Sequence, residues 1–89
     1  MTNKKTRSRF FKEALHMGLP YYVAQQYAKF KTQGTSYEFR NTLIDNGAIC
    51  TKVEKCYNHI DMERYYKEYY TLCNIKFVYS DRFGISILK

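Results

Sequence analysis

The stretch Ala48-Ile-Cys-Thr-Lys-Val-Glu-Lys-Cys-Tyr-Asn-His-Ile60, followed by Asp61-Met-Glu-Arg-Tyr-Tyr-Lys-Glu-Tyr-Tyr-Thr-Leu-Cys73, decides how this chain folds. Two periodicities compete in it. Ile49, Thr51 and Val53 alternate as a strand does, whereas Val53, Cys56, Tyr57 and Ile60 recur at helical spacing. A short extended piece over 48–51 leading into a helix over 52–58 satisfies both. Asp61 then caps a further helix, with Met62, Tyr65, Tyr66, Tyr69, Leu72 and Cys73 on one broad apolar face.

The flanks are easier to read. Phe10, Phe11, Ala14 and Leu15 have helical spacing over about 9–17, and Gly18 stops that helix by tolerating left-handed backbone angles. Proline's fixed φ suits a helix start, so Pro20 opens a second helix to about Thr32, with Val23, Tyr27 and Phe30 on one face. Gly34 ends it. Thr35-Ser-Tyr-Glu38 has capping-box spacing, and Phe39, Leu43 and Ile44 follow in a helix over about 36–46 that Asn46-Gly47 closes. Downstream, Ile75–Tyr79 and Ile85–Leu88 alternate as strands joined by Ser80-Asp-Arg-Phe-Gly84, which predicts a hairpin. The expected fold is mainly α with a C-terminal β-hairpin, hence α+β. Residues 1–8 form a flexible basic arm and 9–89 one small globular domain.

Composition fits that plan. Of 89 residues, 45% are hydrophobic and 18% aromatic, too apolar for a disordered chain. A domain of this size buries only about 60% of its unfolded surface, which leaves little room for an elaborate pocket. The net charge of +7 is unevenly spread. Residues 1–40 carry eight basic side chains against two acidic ones, a net of +6, while residues 41–89 carry seven against six. Such an excess favours polyanionic partners: nucleic acid, an acidic protein face or an anionic surface. No run reaches the roughly 20 apolar residues that span a bilayer, and the first nine residues lack the apolar stretch of a secretory signal. Three cysteines, an odd count, suit free thiols in a reducing compartment, so the expected location is cytoplasmic, or the host cytoplasm if the protein is phage-encoded.

Nothing in the chain favours catalysis. His16 reads as a surface histidine, and Cys56 with His59 as a thiolate–imidazole pair competes with the commoner reading of a buried structural cysteine. Cys50, Cys56, His59 and Cys73 could together hold a metal. Zinc sites space paired cysteines more closely than the five residues between Cys50 and Cys56, so structural cysteines are the favoured alternative. No cofactor and no metal are expected.

Two segments resemble DNA-binding units. Ala14, Gly18 and Pro20 give helix, glycine turn, helix behind a basic arm; this spacing is similar to a helix-turn-helix, in which a small residue precedes the turn glycine by four. The order over 36–88 resembles a winged helix-turn-helix domain. It is carried by Leu43-Ile-Asp-Asn-Gly-Ala-Ile49, Val53, Tyr57, Asp61 through Leu72, Ile75, and the Ser80-Asp81-Arg82 turn before Ile85-Ser-Ile-Leu88. That resemblance implies a third helix in the major groove, presenting Arg64, Lys67 and Thr71, and a wing tip at Arg82. On such a helix Glu63 and Glu68 would sit beside Arg64 and Lys67, opposing phosphate and shifting weight to Lys4, Lys5, Arg7 and Arg9.

The expected function is therefore a small nucleic-acid-binding regulator, duplex DNA favoured, working through the basic arm and a helix-turn-helix; a homodimer is admissible. The alternative is a small phage or mobile-element protein that binds and inhibits an acidic host protein. Tyr21, Tyr22 and Tyr70 are its candidate exposed anchors, with Tyr65, Tyr66 and Tyr69 assigned to the core.

Overall fold

A computed structural model describes residues 4–88. Three helices come first: α1 (Lys4–Met17), α2 (Tyr21–Gln33) and α3 (Ser36–Asp45). Four strands follow: β1 (Ile49–Asn58), β2 (Glu63–Leu72), β3 (Ile75–Ser80) and β4 (Gly84–Leu88). They form one antiparallel meander in the order β1-β2-β3-β4. The fold is α+β, in a single domain.

The three helices lie where their stop signals put them. Gly34 takes the left-handed conformation, φ 70°, and its N–H returns to the Phe30 carbonyl, closing α2. Thr35 is the N-cap of α3, but its side chain makes no capping bond, so the capping box over 35–38 does not form. The first helix begins at Lys4, so the described part of the basic segment, residues 4–8, is helical rather than an arm; residues 1–3 of that arm lie outside the described residues.

The two helices expected over 52–58 and 61–73 are instead strands β1 and β2. The cause is visible in β2. On its helix side Tyr66, Glu68, Tyr70 and Leu72 alternate with Tyr65, Lys67, Tyr69 and Thr71 on the other, so tyrosines fall on both faces and blur the two-residue period. Tyrosine and threonine favour pleated backbone, and pairing on both flanks settles the matter. Asp61 caps no helix. It accepts the Glu63 N–H within the β1–β2 turn, where Met62 adopts positive φ. Cys73 and Asn74, both at positive φ, form the two-residue β2–β3 connection, as a type I′ turn requires. At the expected hairpin, the Ser80 hydroxyl accepts the N–H groups of Arg82 and Phe83.

The core lies between the helices and one face of the sheet. Val23, Phe39, Leu43 and Phe77 are its most deeply buried large side chains, joined by Ala14, Leu19, Tyr27, Tyr70 and Ile85. Phe39 of α3 links the layers: its ring stacks on Phe30 and meets Phe77 of β3 edge-on at 5.9 Å. Burial, and then the charge of Glu13, push the Tyr27 hydroxyl up to about 12. Arg40 of α3 forms the polar link. Two of its nitrogens donate to one Glu68 oxygen at 2.9 and 3.2 Å, and Tyr70 donates to the same oxygen. Burial opposes the charge on Arg40, but these partners outweigh it and hold its pKa above the ordinary value.

Candidate nucleic-acid interface

The α1–α2 unit is built around its turn. Gly18 (φ 100°) sends its N–H to Leu15, Leu19 is buried, and Pro20 precedes the first residue of α2. Ala14, four residues before the glycine, is fully buried where the second helix passes. Phe10, Phe11 and Met17 pack against the same core, which fixes the rotation of α1. Its outer side then exposes Arg9, Lys12 and His16, at i, i+3 and i+7. Arg7 turns toward α2 and, with Ser8, Phe11, Tyr21, Gln25 and Gln26, lines an open groove of about 540 Å³. Residues 4–33 carry seven basic side chains and one acid, Glu13. The outward side of α2 adds the exposed Tyr22 and Gln25.

The sheet separates the remaining candidates. Lys67 and Thr71 lie on the face turned away from the helices; Arg64 is exposed on the opposite face, in a part of β2 that runs beyond its pairing with β3. They therefore do not share one reading surface. Arg82 pairs with both Asp61 and Glu63 across the gap between two turns, so its charge is spent within the protein. The Arg82 hydrogen bond holds the Asp61 carboxyl below the usual carboxylate range. Glu68, expected beside Lys67 on an exposed helix face, points to the helices and binds Arg40. The two carboxylates expected to repel phosphate thus each have an internal cation.

The tyrosines are also redistributed. Tyr21 and Tyr22 are exposed, at 64% and 55%, whereas Tyr70 is buried at 5% and is a core residue rather than an exposed anchor. Tyr65 and Tyr69 are half-buried on the uncovered side of the sheet, and Tyr66 is exposed, so none of the three belongs to the core.

No family model, curated protein or solved structure matches this chain.

Cysteine and histidine chemistry finds no assembled site. Among the described residues no three His, Cys, Asp or Glu side chains come together to hold a metal. Cys50 and Cys73 are exposed, Cys56 contacts Glu54, and His59 packs edge-on against Tyr57. Among the described residues no helix is long and apolar enough to cross a membrane.

Residues that the sequence did not single out are Gln25, Lys52 and Lys76. Lys52 and Lys76 lie on the same sheet face as Lys67, a grouping that only strand alternation and register reveal.

Proposed function

We propose that this protein is a small nucleic-acid-binding regulator that grips duplex DNA through the α1–α2 helix-turn-helix. The observation that carries this reading is the groove in which Arg7 of α1 and Gln25 and Gln26 of α2 converge. Arginine neutralises phosphate and fixes register, while a glutamine amide can pair bidentately with an adenine edge in the major groove. Arg9 and Lys12 extend the phosphate contacts along the outer side of α1, and Lys4 and Lys5 belong to the same helix. Arg64, Lys67, Thr71 and Arg82 fall outside this surface. The helix-turn-helix part of the reading therefore moves from residues 36–88 to residues 4–33.

The test is duplex binding across a salt series. The native chain binds with a steep salt dependence, and Arg7→Glu/Arg9→Glu weakens binding on all sequences, lowering the log–log slope by about 2. Duplex binding unchanged in that variant would overturn the reading.

A second reading rests on the apolar part of the same groove. Phe11 and Tyr21, edge-on at 5.2 Å, stand beside the exposed Tyr22 and offer aromatic anchors ringed by Arg7 and Gln25. An acidic host-protein segment fits this chemistry, as for a phage-type inhibitor. Tyr21→Ala would then abolish partner binding at a salt concentration that leaves it strong in the native chain.

A further inference from the structure

The uncovered face of the sheet is built differently from its covered face. Register places Lys52, Tyr69, Val78 and Ser86 in one row across β1 to β4, with Thr71, Lys76 and Leu88 in the adjoining row. Together with Thr51, several of these residues frame a depression of about 370 Å³. Lys52 stands on one side of it and Lys76 on the other, two strand spacings or about 10 Å apart. Tyr69 and the Thr71 hydroxyl lie between them.

Charge follows the same plan. Glu54 accepts hydrogen bonds from Lys52 and from the Tyr69 hydroxyl, so that carboxylate is compensated within the face. Glu63 is taken by Arg82. Lys67 lies across from Glu54 in the register, but that carboxylate is bonded to Lys52 and Tyr69, and neither Lys67 nor Lys76 forms an ion pair among the described residues, which leaves the face with an excess of positive charge. A second aromatic pair, Tyr65 edge-on to Phe83 at 5.3 Å, lies further along β2.

We infer that this face holds a short single-stranded segment of nucleic acid. A base stacks on Tyr69, displacing the Lys52 ammonium that stands 5.5 Å from the ring centroid and pairs with Glu54, and the backbone runs past Lys67 and Lys76. Unpaired bases expose their ring faces to such a platform, whereas a duplex keeps them stacked inside, so the face selects single strands. The Thr71 hydroxyl can donate to or accept from a base edge. The site lies on the opposite side of the sheet from the helices and does not depend on the α1–α2 reading.

The test uses fluorescence anisotropy at low salt with a labelled oligothymidine, an oligouridine and a mixed-sequence duplex. Lys67→Glu/Lys76→Glu should weaken single-strand binding at least tenfold and leave duplex binding unchanged. Tyr69→Ala should weaken it at least about fivefold, the effect of losing one stacked base, while Tyr69→Phe keeps it. Arg7→Glu/Arg9→Glu is the control and should spare the single-strand site. Preference for uridine or thymidine identifies the natural strand as RNA or DNA. The inference is overturned if the native chain binds neither oligonucleotide, or if Lys67→Glu/Lys76→Glu binds them as the native chain does. It is also overturned if single-strand binding is lost only with the α1 variant. Loss of duplex binding in the α1 variant alone would support the α1–α2 reading whatever the outcome here, so the two readings fail separately.

Discussion

The two faces of one strand, β2, show how this small protein divides its work. On the covered face Tyr70 and Leu72 enter the core, and Glu68 anchors Arg40 of α3. On the other face, one residue out of step, Tyr65, Lys67, Tyr69 and Thr71 stay within reach of solvent. Tyrosine serves both, because its ring can be buried or stacked and its hydroxyl can be satisfied in either place. The difference lies in the neighbours. Phe77 of β3 sits beside Tyr70, with Ile87 of β4 beyond it, while lysines from β1 and β3 sit around Tyr69. The covered face should therefore govern stability, and the uncovered face should govern binding with little effect on stability.

The largest effect breaks the covered face. Phe77 is fully buried and meets Phe39, so Phe77→Ala should cost about 3–5 kcal/mol and unfold much of the population of a domain this small. Urea denaturation followed by circular dichroism measures it. Lys67→Glu/Lys76→Glu, on the other face, should lower the unfolding free energy in the same assay by no more than about 1 kcal/mol, the cost of setting a second carboxylate across from Glu54. A comparable loss in both variants would erase the division between the faces.

A smaller effect tests the polar link. Arg40→Ala removes hydrogen bonds that span α3 and β2 and leaves Glu68 with Tyr70 but no cation, with a cost of about 1.5–3 kcal/mol in the same denaturation assay. Glu68→Gln keeps the shape and should cost less. If Arg40→Ala costs nothing, the contact between α3 and the sheet is apolar only.

The smallest effect lies at the turns. Because Arg82 lowers the folded-state pKa of Asp61 below its unfolded value, the pair stabilises the protein above the ordinary carboxylate range. That contribution is lost as pH falls through the lowered value. An NMR titration of the Asp61 carboxyl should show a midpoint below 3.8, returning toward it in Arg82→Ala.

The sequence carried the helical half almost whole. Gly18, Pro20, Gly34 and Asn46-Gly47 mark the ends of α1, α2 and α3 through local backbone preference, which needs no distant partner. The last hairpin was legible for the same reason, since Ser80 through Gly84 is a local turn. The basic excess, and the order of helix, glycine turn and helix around Ala14, Gly18 and Pro20, could also be read directly. At the N-terminus the sequence misled. Its basic residues looked like a loose arm, but the apolar contacts of Phe10, Phe11, Ala14 and Met17 anchor the helix that begins at Lys4.

Only the tertiary structure decided residues 49–72. Met62, Tyr65, Tyr66, Tyr69 and Leu72 meet the helical repeat as well as any helix would, and Cys73-Asn74 lacks the glycine that usually marks a two-residue hairpin. Strand pairing is a contract between distant segments. Here β1 and β3 flank β2, and the core offered by Phe39 and Leu43 gives it a side to bury. That register alone sends Tyr70 inward and Tyr69 outward, and it gathers Lys52, Lys67 and Lys76, far apart in the chain, onto one face.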